Sequence, residues 1–341
     1  MTGKVIVIGG GVTGMEAASQ LSAAGHEVLL LEQKKTLGGN VSQWDRLFPS
    51  LRPAGELLDH LKENLLARKV KVYFGAEVLA VTRSGNQFGV TLTDGEKMTA
   101  DALLIATGFQ MFDARRKEEY GYGIYTNVIT SADLEEIFRQ KKGIKNPSGK
   151  VPQKIAFIHC VGSRDVKCGN TYCSSVCCIT AVKQAIEVKE MLPEATVYCF
   201  YMDLRMYGRY FEDFYKKAQE KHGIQFVRGR LSEAVENPDE TVMLKVEDTL
   251  ALRPLRMSFD MVVLMAGMEV SQGTVRLGKL LDLHFADDRF IQPSNEHLLR
   301  NVTGSKGVFV AGTATGPKTI YDCISDARSA TLAIDEYLKQ K

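Results

Sequence analysis

No stretch of this sequence approaches the ~20 consecutive apolar residues that a membrane-spanning helix needs. An excess of one charge is missing too: 43 Lys and Arg stand against 41 Asp and Glu, a formal charge of +2. A balance this close offers no electrostatic hold on nucleic acid or on an anionic membrane, so neither is expected as a partner. The six histidines show no metal-ligand spacing. No Ser/His/Asp arrangement or paired-carboxylate site stands out, and no catalytic residue is assigned. No C-x2-C-x2-C ferredoxin run occurs anywhere. No secretory leader is expected, because "MTGKVIVIGGG" enters an apolar strand almost at once. The expected compartment is therefore the reducing cytoplasm, where clustered cysteines are more often metal ligands or redox groups than structural disulfides.

What is present is the composition of a globular protein, 45% apolar and 25% charged over 341 residues, enough for two domains. Lys4 to Ile8 is a continuous apolar run, followed by "GGGVTGMEAASQLSAAG" and then "HEVLLLEQ". This predicts a strand, a glycine turn, a helix and a second strand. Gly9, Gly11 and Gly14 fit the G-x-G-x-x-G spacing. The first glycine permits a tight turn, the second lets a pyrophosphate approach the backbone, and the third lets helix and strand pack closely. Glu32 ends the second strand, where a carboxylate can take ribose hydroxyls. Together these predict a dinucleotide site.

Two later segments choose flavin for it. "DALLIATGF" (Asp101 to Phe109) and "GVFVAGTATGP" (Gly307 to Pro317) are apolar strands ending in small residues, and "LGGNVSQW" (Leu37 to Trp44) follows the first βαβ unit. These resemble the corresponding segments of two-dinucleotide-domain flavoproteins of the thioredoxin reductase-like group. One departure is visible: that group has an acid after Ala-Gly, and here Gly312 is followed by Thr313. The resemblance implies an α/β fold of two Rossmann-like domains, the second inserted into the first. The FAD-binding domain takes residues 1–115 and 268–341, and the insert residues 116–267. The implied FAD-binding positions are Gly9, Gly11, Val12, Thr13, Gly14, Glu32, Gln33, Gly38, Gly39, Asn40, Val78, Thr107, Gly108, Gly312, Thr313, Lys318, Thr319 and Ile320.

The insert opens on a polar connector in which "SADLEEIF" predicts a helix, with a capping box starting at Ser131 and slightly out of register with Leu134 and Glu135. Beyond it the strand–helix–strand order recurs: "KIAFIHC", "SSVCCITAVKQAIEVKEML", "ATVYCFYM", then the strands "GIQFVRG" and "DMVVLMAG". The glycine fingerprint does not recur. The chain reads "CVGSRDVKCGNTYCSSVCC" instead, and the nearest acid, Asp203, lies past the strand end. A nicotinamide dinucleotide is therefore not expected in this domain.

Five of the seven cysteines fall between His159 and Cys178. Three chemistries compete for them. A redox dithiol wants C-x-x-C-like spacing, which neither Cys173-x3-Cys177 nor adjacent Cys177-Cys178 supplies. A tetrahedral zinc site wants two spaced pairs, and the side chains of adjacent cysteines diverge. An iron-sulfur cubane tolerates adjacency better, because each iron faces outward and takes one thiolate. Cys177 and Cys178 also fall near the N-terminus of a predicted helix, whose positive end favours an anionic cluster.

"CVGSRD", "YCSSVCC", the helix "ITAVKQAI", "GGN" and "AGTATGPKTIYD" together resemble the flavin-bearing A-subunits of heterodisulfide reductases. The resemblance implies FAD on a thioredoxin reductase-like core and a [4Fe-4S] cluster held by a separated cysteine plus C-x3-C-C. In this chain those are Cys160, Cys173, Cys177 and Cys178, with Cys168 spare. It further implies a short-form electron-transfer protein, a homodimer, working with iron-sulfur subunits of a heterodisulfide reductase-like complex in sulfur metabolism. FAD would take two electrons and pass them singly to the cluster, or the reverse. Two rivals remain: a self-contained NAD(P)H-dependent disulfide reductase with a cysteine redox pair, and a non-enzymatic scaffold with structural FAD and zinc.

Other features have plainer readings. Cys199 and Cys323 are expected as packing residues, with a redox role open for Cys323. His159 should face away from Cys160 by strand alternation. Phe200 to Gly223, aromatic with Arg205 and Arg209 interleaved, is either an amphipathic element or a subunit interface. Lys318 is either a solvated lysine or a positive charge beside the flavin.

Overall fold

Lys4–Ile8 and Glu27–Glu32 are nearly all apolar, and they lie parallel, Val5 opposite Val28 and Val7 opposite Leu30. A run of this kind needs cover on both faces, which is the condition of a central parallel strand. The computed structural model describes residues 2–340. They divide into two compact units, one of residues 2–42, 54–110 and 269–340, the other of residues 43–53 and 111–268.

In the first unit five parallel strands are ordered Val308–Val310, Ala102–Ile105, Lys4–Ile8, Glu27–Glu32, Lys71–Phe74. The helix Val12–Ala23 crosses from the third of these to the fourth. A three-stranded antiparallel sheet, Val78–Ser84, Gln87–Leu92 and Lys97–Ala100, precedes the Ala102–Ile105 strand. One core joins the two sheets: Ile6, Leu29, Leu103 and Ile105 from the first, Phe88, Val90 and Leu92 from the second. Each such side chain contributes ~1.5–3 kcal/mol by leaving water.

The second unit repeats this plan. Its parallel strands are ordered Val128–Thr130, Met261–Ala266, Lys154–Val161, Thr196–Tyr201, Gln225–Arg228. The helix Cys177–Met191 makes the equivalent crossing, and an antiparallel sheet of Leu231–Glu236, Val242–Asp248 and Arg253–Phe259 precedes the Met261–Ala266 strand. The predicted strands and helices of both units are present, and the fold is the expected two-fold Rossmann-like one. The two units differ at the turn before the crossing helix. In the first unit strand and helix are joined by residues 9–11; in the second the join runs through residues 162–176.

Local differences from the expectations have identifiable causes. The capping box begins at Thr130, not Ser131: Thr130 Oγ1 accepts the Asp133 amide, and the Asp133 carboxylate accepts the Thr130 amide at 2.8 Å. Asp serves here where Glu or Gln is the more usual partner. The Val128–Thr130 strand and the antiparallel sheet at 231–259 are not apparent from the sequence, because their alternation is short or interrupted by charge. Residues 43–53 group with the second unit, where Arg46 pairs with Glu190 at 2.9 Å and Phe48 meets Phe211 edge-on.

Buried charge also shapes the second unit. Lys183, on the Cys177–Met191 helix and 2% exposed, is shared by Glu135 at 2.5 Å and Glu187 at 2.8 Å. Arg46 reaches only to 3.9 Å from Glu187, while Gln184 donates to Glu135. Burial pushes the Glu187 carboxyl up to about 7 from 4.5, against the pull of Lys183 and with the help of Glu135. The folded chain thus keeps a proton that the unfolded chain releases. Stability therefore falls as pH rises from about 4.5 to about 7, and the loss is complete above that. Glu187→Gln is expected to stabilise the protein at pH 8 by about 1–2 kcal/mol and to be nearly neutral at pH 5. Thermal melts at the two pH values check this; destabilisation at both would mean that the Lys183 pair outweighs the cost of burying it.

Candidate functional site

In the first unit the residues singled out by sequence converge. A Cβ on Gly9 would lie 2.4 Å from the Ala106 carbonyl oxygen, and one on Gly14 1.8 Å from that of Gly9. Both glycines are therefore required by packing. Gly11 is different. Its backbone is ordinary extended chain (φ −77°, ψ −174°), and a Cβ there would meet only the Gly39 Cα, at 3.9 Å. Nothing in the chain itself asks for glycine at this position. It leaves space in front of the first turn of the Val12–Ala23 helix, which no side chain caps. An uncapped helix start with a bare backbone before it is suited to an anion.

Around that opening, Gly312 lies against Thr13, Gly39 against Gly11, and Gly108 near the Thr313 hydroxyl. Asn40 Nδ2 donates to the Phe109 carbonyl at 3.0 Å, and the Thr107 and Thr274 hydroxyls are 2.6 Å apart. Glu32, buried at the strand end, accepts the Gly10 amide at 2.8 Å and the Lys34 amide at 2.7 Å. Its carboxylate holds the glycine turn in shape. Gln33 is exposed, Gly38 buried with φ +119°, and Val78 packed in the core.

At the C-terminal edge Lys318 is neither solvated nor free. Nζ donates to Asp326 at 2.8 Å and to Thr315 Oγ1 at 2.7 Å. Asp326 also accepts the Gly312 amide at 2.8 Å and Asn301 Nδ2 at 2.9 Å. A carboxylate thus stands beside Gly312 although the residue after it is Thr313; it arrives from the last helix, Ile320–Lys339. Sequence spacing conceals it. Thr319 caps that helix in a reciprocal box with Asp322, just before Ile320. Cys323, one turn on, is buried beside Thr13, and burial pushes its thiol up to about 11.

In the second unit the Lys154–Val161 strand is irregular where the cysteines begin. Its register shifts between Ile158 and Val161, and Cys160 takes a left-handed conformation (φ 60°). Strand alternation therefore fails at Cys160, while His159 keeps the face of Phe157, whose strand partner is Cys199. His159 lies beside Cys178 and Cys199, while Cys160 meets Cys177. Cys177 and Cys178 open the Cys177–Met191 helix, again with no side-chain cap. Cys160, Cys177 and Cys178 are all buried and in mutual contact. The Cys177 thiol donating to Cys178 pulls Cys178 well below the ordinary thiol range against the effect of burial, and Cys177 is raised by its bonds to Cys160 and Cys178. The Cys178 sulfur also approaches the Asp203 carbonyl at 3.7 Å and the Arg205 amide.

Cys173 is engaged separately, its sulfur accepting the Ser175 amide at 3.3 Å. Cys168 sits elsewhere: it neighbours Asp165, Lys117 and Arg116, and burial raises its thiol. Cys199 is wholly buried in its strand. Among the described residues no three His, Cys, Asp or Glu side chains converge as the ligands of one metal ion. Three features nonetheless fit an anionic, thiolate-held group. The thiols are crowded at an uncapped helix start, one is depressed, and both nitrogens of buried His159 lack a hydrogen-bond partner. Asp203, the acid nearest a ribose position, is taken by Arg164 at 2.7 Å and Arg228 at 3.6 Å.

The model of the pyridine nucleotide-disulphide oxidoreductases matches residues 3–330. The chain belongs to that family. It is an oxidoreductase, and no helix among the described residues is long and apolar enough to cross a membrane. Within this family it is similar to the A-subunit of the H(2):CoB-CoM heterodisulfide,ferredoxin reductase of Methanothermobacter marburgensis, 31% identical over 96% of this chain and 62% of that one. The iron-sulfur A-subunit of the CoB–CoM heterodisulfide reductase of Methanocaldococcus jannaschii is 38% identical over 70% of this chain and 37% of its own length. The chain thus spans about three fifths or less of these relatives. Thioredoxin reductase of Lactococcus lactis shares the fold, with a TM-score of 0.69 and 15% identity over the whole of both chains. The resemblance carried by the cysteine segment and "AGTATGPKTIYD" thus extends over nearly the whole chain.

Proposed function

We propose that this family member is an FAD- and [4Fe-4S]-containing electron-transfer subunit of a heterodisulfide reductase-like complex of sulfur metabolism. One observation carries the reading: where the repeated fold has its glycine turn in the first unit, the second has residues 162–176 with thiols at the helix start. Gly9, Gly11, Thr13, Gly14, Glu32, Gly39, Thr107, Gly108, Gly312 and Thr313 are the residues to hold FAD. Cys160, Cys173, Cys177 and Cys178 are the ligands of the cluster. Flavin supplies two-electron chemistry and the cluster one-electron chemistry.

The chain's own part is positional. The uncapped start of the Val12–Ala23 helix would offer its first amides to a pyrophosphate, while Asp326 neutralises Lys318 and fixes the Gly312 backbone. His159 and the Arg205 amide offer donors to anionic sulfur. The protein is further proposed to be a cytoplasmic homodimer that exchanges electrons with iron-sulfur subunits. A nicotinamide partner is disfavoured, since the second turn lacks the G-x-G-x-x-G spacing and Asp203 is already paired. NADPH added anaerobically should therefore leave the flavin absorbance near 450 nm essentially unbleached, while dithionite abolishes it (an electronic band of about that position is general to oxidised flavins). Bleaching by stoichiometric NADPH would favour the self-contained disulfide reductase.

A further inference from the structure

The segment between the Thr196–Tyr201 strand and the Phe211–Glu220 helix has no regular structure and joins the thiol nest to solvent. At its start the Asp203 carbonyl and the Arg205 amide lie against the Cys178 sulfur. From there the chain turns outward. Tyr207 is 81% and Tyr210 57% exposed, Arg205 and Arg209 are exposed, and Arg209 lies over the Tyr210 ring at 4.7 Å. Exposed Arg228 faces the same segment through Asp203. Three exposed arginines thus accompany one aspartate, whose charge is already shared with Arg164. The acids Glu212 and Asp213 begin the next helix, and Lys216 and Lys217 follow them.

We infer that Met202–Tyr210, with Arg228, is a docking surface for a small acidic electron-transfer protein, an inference that rests on the redox role proposed above for the cysteines. Arginine and tyrosine are the residues that carry binding energy at protein interfaces, because they present large, stiff surface with donors at the tip. Two tyrosines held in water beside arginines gain most from a partner that covers them. The sign of the patch selects carboxylates, and electrostatic steering speeds encounter with such a partner. Its position selects an electron carrier, since here a single stretch of backbone separates a buried thiol from the surface. Each transfer would move one electron between the thiolate-held centre and the metal centre of the docked protein, one oxidised as the other is reduced.

The test uses the full chain, purified without oxygen, and a small acidic [2Fe-2S] ferredoxin as probe, with binding followed by fluorescence anisotropy and iron measured on the same samples. The wild-type chain should bind saturably at low salt and about tenfold more weakly when sodium chloride is raised from about 50 to about 300 mM. Arg205→Glu combined with Arg209→Glu should weaken binding at least about tenfold at low salt, and Tyr207→Ala by a few-fold, with iron content kept. The gentler Arg205→Gln with Arg209→Gln should fall between, which separates lost charge from misfolding. Equal affinity in wild type and variants, or no saturable binding at low salt, overturns the inference. So does a change of oligomeric state in the variants by analytical ultracentrifugation, which would give the surface to a second copy of the chain. Iron-free protein that still binds through the arginines would sink the cluster and leave the docking surface standing. Iron-loaded protein indifferent to the arginines would do the opposite.

Discussion

Cys177→Ser and Cys178→Ser should each lower bound iron from about four per chain to below about one, in protein purified without oxygen. The two positions open a helix and are buried, 4% and 2% exposed, so serine of nearly the same volume should be accommodated without unfolding. What is lost is the thiolate. Cys178 is the most anionic of the group, held there by the Cys177 thiol, and an alcohol at either position remains protonated at neutral pH. Cys160→Ser should behave alike. Its left-handed backbone turns the thiol toward Cys177, a placement that strand alternation alone would not produce. Cys168→Ala is the matched control and should leave iron unchanged, because that residue lies among Asp165, Lys117 and Arg116. Iron lost from Cys168→Ala and retained by Cys177→Ser would reverse the ligand assignment.

The second large effect separates two glycines that look equivalent in the fingerprint. Gly11→Ala should give a folded protein that retains less than about a tenth of the wild-type flavin after gel filtration, a loss of at least about 1.4 kcal/mol in binding. Its Cβ finds only ordinary contact in the chain, so the space it fills is space kept for a ligand at the helix start. Gly14→Ala should instead compromise folding, because its Cβ would fall 1.8 Å from the Gly9 carbonyl oxygen and force helix and strand apart. Circular dichroism and flavin content measured together distinguish the outcomes. Full flavin retention by folded Gly11→Ala would argue that the dinucleotide does not approach this turn.

These glycines also mark the border between what is legible in the sequence and what is not. The strand–helix–strand crossing of each unit is legible, because apolar runs and glycine spacing are local signals. The replacement of the second glycine turn by cysteines is legible for the same reason. Details that depend on distant partners are not. Asp326 reaches Gly312 and Lys318 from the last helix, so no spacing rule finds it, and the acid expected after Ala-Gly looks simply missing. Likewise the bulge before Val161 and the positive φ of Cys160 break the alternation at Cys160, and no local signal announces them. The Thr130–Asp133 cap is hard to see because Asp stands at the third position, where Glu or Gln is usual. Asp203, in sequence the acid nearest a ribose position, is instead an anchor for Arg164 and Arg228.

The central claim is that thiolates at the second turn hold an iron-sulfur cubane where the fold would otherwise place a nicotinamide. Anaerobic purification followed by iron and acid-labile sulfide assay, with low-temperature EPR of the dithionite-reduced protein, tests it most directly. The account predicts about four irons and about four sulfides per chain and a spin-½ signal from a reduced cubane. Less than about one iron per chain, with no such signal and a flavin that reduces normally, would contradict it.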